Sequence, residues 1–337
     1  MKRLLFIVLA MLWLQTALAQ VAAPQSVIVD AAAVLDAVAR KALVWDVRPA
    51  DAFAKGHIPG AVNIGDAAAV LRNPNSEDFI ATPQIEKLLG AAGIDPAREV
   101  VVYGNRGAWQ AYFGQYTLQY FGGRSVRVYH EGIEDWSAAG RALAQGAEKS
   151  APVTIKLNHD ASSRVSVSTR DILARLNQPE VQILDVRTAK EFSGEDIRAI
   201  RGGHIPGAVN IPYEQNWVDP ETAGKLARRE VPTNAGMSLK PVESLKALYA
   251  QLDPDKETIV YCQSGARASE TAGVLQRLGF KNVKVYDSSW LGYGNTLDAP
   301  AENVTFFNVG LLNGRLAAMQ GRVEQLEKEL AASKAAK

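Results

Sequence analysis

The chain contains a single cysteine, which stands where an apolar run gives way to small residues. In "TIVYCQSGARAS" (258–269), Cys262 follows Ile259-Val260-Tyr261 and precedes Arg267 by five positions. A cysteine thiolate is a nucleophile, and a nearby arginine offers a fixed positive charge with fork-shaped donors for an oxyanion. These residue types indicate nucleophilic chemistry. The alternative is a cysteine that serves only as a small buried hydrophobe, a role that requires no arginine.

The residues after Cys262 predict a loop that leads into a helix beginning near Ala268. The loop consists of small or flexible residues, Gln263, Ser264, Gly265 and Ala266. Their backbone amides can turn inward and form a cradle for an anion. The positive end of the helix dipole and the unpaired amides of the first turn favour the thiolate over the thiol.

The spacing from Cys262 to Arg267 distinguishes two kinds of chemistry. Cysteine phosphatases use C-x5-R, which forms a ring sized for phosphate, whereas this chain has C-x4-R. A ring that is one residue shorter fits a single extra atom on sulfur better than a phosphoryl group. The spacing therefore disfavours a phosphatase and predicts sulfur transfer, in which the thiolate accepts a sulfane sulfur and becomes a persulfide.

A repeat divides the chain into two similar units. "GHIPGAVNI" occurs at 56–64 and again at 203–211, each time downstream of an apolar run that ends in "DVR". Further along, "EVVVYGNRGAW" (99–109) matches "TIVYCQSGARA" (258–268) in the same order. Three matched blocks in one order indicate duplication of a unit of roughly 130 residues, which is a whole domain.

Within each unit, short apolar strands alternate with helical patterns such as 241–252 and 269–279. This alternation predicts an α/β fold in which a mostly parallel sheet is flanked by helices. The expected organisation is two such domains joined by a linker, at 25–145, 146–163 and 164–300. Because ligands bind at the carboxyl ends of parallel strands, Cys262 lies where a site is expected.

The two copies differ at the positions that carry the chemistry. Aligning Tyr103 with Tyr261 sets Gly104 opposite Cys262 and Trp109 opposite Arg267. The first copy keeps the scaffold but has no nucleophile. We therefore expect the N-terminal domain to be inactive and the C-terminal domain to be catalytic.

The combination "DVR…GHIPGAVNI…IVYCQSGARA…VYDSSW" resembles the rhodanese family of sulfurtransferases in its two-domain form. The resemblance covers about residues 25–300. It implies two rhodanese-like domains, with Cys262 as the sulfur carrier on a loop that runs from Cys262 to Arg267 and lies near the domain interface. It also implies a small-molecule sulfur donor and a thiophilic acceptor, and it implies no cofactor.

The resemblance leaves the sulfur donor open. Arg187 matches an arginine that mercaptopyruvate enzymes use on the substrate carboxylate, and is a candidate substrate-binding residue. The second such arginine falls opposite Ser193, although Arg198 or Arg201 nearby could replace it. We expect thiosulfate as the donor, with 3-mercaptopyruvate as the alternative. A non-catalytic binding module built on the same scaffold is a further alternative.

Other residues that could do chemistry occur in both copies, so the sequence assigns them to the fold. His57 and His204 lie in the matched "GHIPGA" blocks, and Asp46 and Asp185 lie in the "DVR" triplets. One cysteine and four scattered histidines predict no metal site. A net charge of +1 without a basic run argues against a nucleic-acid partner.

The N-terminus is typical of a cleavable signal peptide over residues 1–19. Lys2 and Arg3 precede an apolar stretch from Leu4 to Leu14, and Ala17-Leu18-Ala19 provides an A-x-A cleavage site. The sequence therefore predicts a periplasmic or secreted protein. In such a compartment cysteines are often paired, so the single thiol is unusual.

The C-terminal segment, 308–334, predicts an amphipathic helix. Its apolar residues follow a spacing of four and three, at Leu312, Leu316, Met319, Val323, Leu326 and Leu330. This spacing is the a/d seam of a coiled coil over about three heptads. Two interpretations stay open, self-association or partner docking through the seam, and packing of the helix back onto the domains.

Overall fold

The computed structural model describes residues 26–146 and 150–335. The predicted signal peptide over residues 1–19 lies outside the described residues. So do residues 147–149 of the predicted linker. The described residues form two α/β units followed by a long C-terminal helix.

The N-terminal unit is a five-stranded sheet covered by helices. Its strands are β1 (Ile28–Val29), β2 (Leu43–Asp46), β3 (Ala61–Asn63), β4 (Val100–Tyr103) and β5 (Val126–Tyr129). Its helices are α1 (Ala31–Ala39), α2 (Ala50–Lys55), α3 (Ala67–Leu71), α4 (Thr82–Ala91), α5 (Trp109–Tyr120) and α6 (Gly132–Ala138). The strand order is β1-β5-β4-β2-β3, and every pair is parallel.

The C-terminal unit repeats this plan and adds a short ribbon. Its strands are β6 (Ser166–Val167), β7 (Val181–Asp185), β8 (Arg201–His204), β9 (Val209–Asn210), β10 (Glu257–Tyr261), β11 (Asn282–Tyr286) and β12 (Glu302–Phe306). Its α-helices are α7 (Thr169–Arg175), α8 (Ala189–Phe192), α9 (Thr222–Ala227), α10 (Val242–Leu248), α11 (Ala266–Arg277) and α12 (Ser289–Asn295). Short 3-10 helices lie at His159–Arg164, Tyr213–Asn216 and Ala235–Met237.

The two sheets have the same topology, which confirms the predicted duplication at the level of fold. The second sheet runs β6-β11-β10-β7-β9, with each strand in the position of its counterpart in the first. All of its pairs are parallel, whereas the separate β12–β8 ribbon is antiparallel. The predicted parallel sheets flanked by helices are therefore confirmed.

Each sheet is buried on both faces, which explains the uninterrupted apolar runs. In β10, Val260 faces the central core, whereas Ile259 and Tyr261 face the outer one. The central core is continuous between the units, because α5 and α11 pack against each other between the two sheets. The carboxyl end of β10 thus lies beside the N-terminal unit.

The repeated histidines and aspartates are part of the scaffold, as predicted: Asp46 and Asp185 each pair with the arginine of their own "DVR" triplet. His57 Nδ1 lies 2.9 Å from the Phe53 carbonyl oxygen, and the two rings stack at 3.8 Å. His204 makes the same contacts with Phe192, at 2.9 Å and 3.6 Å. Such identical geometry in both units indicates a structural role.

The C-terminal helix, α13 (Val309–Ala335), stands apart from the domains. Every residue from 302 to 334 is exposed. The interpretation that this helix packs back onto the domains is therefore wrong. Within the described residues, no helix combines the length and apolar character needed to cross a membrane.

Candidate active site

Cys262 immediately follows β10 and precedes the first turn of α11. Its side chain is free of disulfide bonds and only 1% exposed. The helix begins at Ala266, two residues earlier than the sequence suggested. The strand, the loop and the helix are thus arranged as predicted, with the thiol at the carboxyl edge of the sheet.

The hydroxyl of Ser289 holds the cysteine loop closed. Its Oγ accepts hydrogen bonds from the amides of Cys262 at 3.1 Å and Gly265 at 2.9 Å. The same hydroxyl donates to the Tyr286 carbonyl at 2.7 Å. Ser289 lies in α12 and Tyr286 ends β11, so these two elements hold the loop in its curved shape.

Gly265 is required at the end of this loop. Its φ of +80° lies in the left-handed region that other residues resist. A Cβ there would also come within 2.7 Å of the Asp287 Oδ1 atom. The glycine therefore allows the loop to pass close against the end of β11.

The loop leaves a group of backbone donors available. Within 26–146 and 150–335, these amides make no hydrogen bond to a protein acceptor: Gln263, Ser264, Ala266, Arg267 and Ala268. They surround the start of α11, where the helix dipole is positive. These donors border the cavity that holds Cys262, at the place where the sequence predicts an anion cradle.

Arg267 is fixed by a buried carboxylate. Its two terminal nitrogens donate to Glu191 at 2.9 Å and 2.8 Å, and Glu191 is 1% exposed. Burial alone would raise the pKa of Glu191, but the hydrogen bonds and charge of Arg267 lower it to about 2. The arginine therefore anchors the loop as well as lining the cavity.

The N-terminal unit clamps the same loop from the other side. Arg72, which follows α3, is 6% exposed and donates to the Ser264 carbonyl and, at 2.5 Å, to Asp287. Burial raises the pKa of Asp287, and the Arg72 guanidinium opposes that rise. Its guanidinium also lies 4.3 Å from the centre of the Phe113 ring. The N-terminal unit, which has no cysteine, thus contacts and holds the loop of the C-terminal unit.

The cavity in front of Cys262 lies between the two units and has a volume of about 530 Å³. The N-terminal unit contributes Arg72 and Trp109, and the C-terminal unit contributes Arg198, Tyr213 and Glu214. Burial raises the pKa of Glu214. Three arginines, Arg72, Arg198 and Arg267, line the cavity. The cavity is therefore suited to a small anion.

The predicted substrate-binding residue Arg187 is not among the residues that line this cavity. Its side chain is 1% exposed and donates to Asp185 and, at 2.7 Å, to the Gly203 carbonyl. Arg48 makes the same bonds to Asp46 and Gly56 in the first unit. Because both copies share this contact, we assign Arg187 a structural role. The sequence had suggested a substrate contact for it.

The two other arginines considered from the sequence differ in position. Arg198 lines the cavity with a side chain that is 50% exposed. Arg201 is buried and donates to the carbonyls of Gly294, Thr296 and Ala299. Arg198 alone of these two has access to a ligand in the cavity.

In the N-terminal unit the corresponding loop is occupied by protein. A Cβ on Gly107 would lie 2.5 Å from the Met237 side chain, and Asn234 donates to the Arg106 carbonyl at 3.2 Å. Arg106 itself pairs with Glu131 at 2.7 Å. This loop of the N-terminal unit thus serves as a contact surface between the units.

Sequence reasoning missed several residues of the site: Arg72, Glu191, Glu214, Asp287 and Ser289. For Asp287 and Ser289 a signal existed, because "VYDSSW" marks the strand end that holds them. Glu191 also closes a T-x-x-E capping box with Thr188, a recognisable pattern. Neither pattern indicates that the residue contacts the cysteine loop.

Replacing Arg72 by methionine should lower kcat for sulfur transfer by about a hundredfold, because a small displacement of reacting groups has effects of that size. The unpaired Asp287 should also destabilise the fold by about 3–5 kcal/mol. In the double variant Arg72→Met/Asp287→Asn, stability should recover while kcat stays low. Full activity in the double variant would contradict the positioning role, and Arg98→Met, at an exposed arginine, is the control.

Comparison with known proteins gives a consistent result. The profile of the rhodanese-like domain matches residues 30–139 and 168–296. The chain is 36% identical over 261 residues to the thiosulfate sulfurtransferase of Corynebacterium glutamicum, covering 73% of this chain and 80% of that protein. It is 33% identical over 262 residues to a protein from Mycobacterium tuberculosis that is named provisionally for the same activity. That alignment covers 74% of this chain and 87% of the relative.

A solved structure shows the same fold. The anaerobic ergothioneine biosynthesis enzyme from Chlorobium limicola, in complex with trimethyl histidine, superposes with a TM-score of 0.66. The alignment covers 80% of this chain and 68% of that one, at 21% identity. At this level of identity, the similarity extends to architecture alone.

Proposed function

Because the chain belongs to the rhodanese family of sulfurtransferases, we propose that it transfers a sulfane sulfur from thiosulfate to a thiophilic acceptor through a persulfide on Cys262. One observation carries this proposal: the chain's only cysteine lies in a cavity bordered by free backbone amides at a helix start. That environment stabilises an anionic sulfur species without a metal ligand or a second thiol.

In the first step, the Cys262 thiolate attacks the outer sulfur of thiosulfate. The new bond joins Sγ to that sulfur, the S–S bond of thiosulfate breaks, and its electron pair leaves with sulfite. The persulfide that forms carries the negative charge, which the amides of Gln263, Ser264 and Ala266 can receive. No external oxidant or reductant is needed.

In the second step, a thiophilic acceptor attacks the terminal sulfur of the persulfide. The S–S bond breaks and returns its electron pair to Cys262, which regenerates the thiolate. Cyanide would leave as thiocyanate, and a thiol would leave as a persulfide. The cavity opens to solvent at Arg198, so the terminal sulfur is within reach of a small acceptor.

The charges of the cavity favour thiosulfate over 3-mercaptopyruvate. Arg198 lines the cavity with a half-exposed side chain that pairs with Glu191 at 3.3 Å, and its remaining donors can meet the sulfonate end of the donor. Arg187, which matches the arginine that mercaptopyruvate enzymes use on the substrate carboxylate, is engaged by Asp185 and does not line the cavity. The relative in Corynebacterium glutamicum is named for thiosulfate, which supports the same choice.

Steady-state kinetics with each donor, and cyanide as the acceptor, test this proposal. We expect kcat/KM for thiosulfate to exceed that for 3-mercaptopyruvate by about tenfold or more, because a site that lacks a polar partner discriminates against the substrate that needs it. The reverse preference would assign the mercaptopyruvate activity. Turnover with neither donor would favour the binding-module alternative.

We also propose that the protein is exported and that the signal peptide is removed after Ala19. Support comes from the Lys2-Arg3 pair, the apolar stretch and the A-x-A motif of the sequence. N-terminal sequencing of the protein purified from its native host should give a chain that begins at Gln20. A chain that retains Met1 in the cytoplasmic fraction would contradict export.

We propose, finally, that α13 provides a surface for a protein partner. Support comes from its row of exposed apolar side chains, which no other described part of the chain covers. Sulfur transfer itself involves only small molecules and does not depend on this surface.

A further inference from the structure

The apolar stripe of α13 is exposed along its whole length. The exposed fractions are 47% for Leu316, 65% for Met319, 53% for Val323 and 46% for Leu326. Burying a leucine or valine side chain is worth about 1.5–3 kcal/mol. A helix that leaves several of them in water gains substantially from a partner with a matching stripe.

The heptad positions of the stripe are those of a two-stranded coil. The a positions are Val309, Leu316, Val323 and Leu330. The d positions are Leu312, Met319 and Leu326. Two of the four a positions hold valine and two of the three d positions hold leucine, and valine at a with leucine at d favours two parallel strands over three or four. Both interior glycines, Gly314 and Gly321, fall at f, the position furthest from the seam, so they leave the packing surface intact.

The flanking charges match a second copy of the same helix in parallel register. In such a pair each g residue faces the e residue of the next heptad on the partner helix. Arg322 would then face Glu327, and Glu329 would face Lys334, once on each side of the coil. Four attractive contacts result, and none is repulsive.

The antiparallel arrangement fits less well. In an antiparallel pair, g positions of one helix face g positions of the other. When the helices are aligned so that their apolar stripes overlap fully, Arg322 of one copy therefore faces Arg322 of the other. Among the described residues of one chain, Arg322 pairs with Glu329 at 3.9 Å, and both side chains are more than half exposed. These charges are therefore available to a partner helix.

Exposed apolar residues continue from the helix onto the catalytic domain. Phe306 and Phe307, which immediately precede α13, are 67% and 42% exposed, and Ile200 beside them is 52% exposed. Phe307 donates its amide to the Ile200 carbonyl at 3.2 Å, so the three form one patch at the start of the helix. A parallel coil would bring two such patches together, whereas an antiparallel coil would separate them.

We propose that α13 binds a second copy of this chain as a parallel, in-register, two-stranded coiled coil. Two catalytic domains then lie side by side at the amino-terminal end of the coil, with the Ile200, Phe306 and Phe307 patches facing each other. This inference rests on the partner-binding role proposed for α13 and is independent of the sulfur chemistry.

Light scattering of the purified full-length mature chain tests the stoichiometry. We expect about twice the chain mass, falling to one chain mass in Leu326→Asp, which introduces a charge at a d position. The adjacent change Gln325→Asp adds the same charge outside the seam and should leave the dimer intact. Sulfur transfer should persist in both variants. A wild-type monomer, a trimer or a tetramer would overturn the proposal.

Orientation is tested by a disulfide at one end of the coil. In a Cys262→Ser background, Leu330→Cys should form a covalent dimer on mild oxidation, because a faces a at the same height in a parallel pair. In the antiparallel alignment, residue 330 of one copy faces Leu312 of the other. The two introduced cysteines then lie at opposite ends of the coil and cannot form a disulfide. A dimer that forms no disulfide would therefore contradict the parallel register.

Discussion

Cys262→Ser should abolish sulfur transfer from thiosulfate, with a fall in kcat of more than about a thousandfold. The chain has no other cysteine, so no neighbouring thiol can take over the reaction. A serine hydroxyl is a far weaker nucleophile toward sulfur, because it is not ionised near neutral pH. Thiocyanate production from thiosulfate and cyanide measures the loss.

The same substitution should leave the fold intact, which separates chemistry from stability. Cys262 is 1% exposed, and serine differs from it by one atom. The loop hydrogen bonds use the backbone amide of Cys262, so they persist. We expect a melting temperature within a few degrees of wild type. Appreciable turnover by the folded variant would contradict the assignment of Cys262 as the sulfur carrier.

Glu191→Gln should have the second largest effect, on both stability and activity. The variant leaves the Arg267 guanidinium, whose side chain is only 15% exposed, without its carboxylate partner, a change that costs about 3–5 kcal/mol for a fully buried pair. Since Arg267 ends the cysteine loop, kcat should fall as well. Urea unfolding measures the stability, and Glu195→Gln, at an exposed position a few residues away, is the matched control.

The pH dependence of this effect has a defined sign. The folded-state pKa of Glu191 is about 2, below its ordinary value of 4.5, so the folded protein favours the carboxylate. The resulting stabilisation, roughly 3 kcal/mol by linkage, is fully present above pH 4.5 and is lost as pH falls toward 2. The difference between wild type and Glu191→Gln should therefore be larger at pH 7 than at pH 3. An equal difference at both pH values would contradict the ion-pair account.

The sequence contains most of the local architecture. The apolar runs "ALVWDVR" and "VQILDVR" become β2 and β7, and "TIVY" becomes most of β10, because buried parallel strands need apolar residues on both faces. The duplication shows in the sequence for the same reason: two copies of one fold retain the same glycines and buried side chains. The cysteine loop was also predictable, since its chemistry resides in consecutive residues.

The contacts between the units were not predictable. Arg72 lies 192 positions from Ser264 in the chain, and no local pattern links the two. The burial of Arg187 also escaped prediction, because an arginine in a "DVR" triplet has the same sequence whether it faces a cavity or pairs with the aspartate of that triplet. Pairing dominates here, since Asp185 is fully buried and requires a cation.

The tail illustrates a third limit. Heptad spacing predicts a helix with one apolar stripe, but a stripe fits the surface of its own domain as well as a second helix. The exposure of α13 removes the first of these possibilities. Its e and g charges then favour a second copy of the same helix.

Intact-mass spectrometry of the purified protein after incubation with thiosulfate tests the central claim most directly. A covalent sulfur carrier should gain about 32 Da, one sulfur atom, and the gain should map to Cys262 and disappear on addition of cyanide. The Cys262→Ser variant, treated in parallel, should show no gain. An unchanged mass in a protein that turns over thiosulfate, or a gain that persists in Cys262→Ser, would contradict a persulfide mechanism at this cysteine.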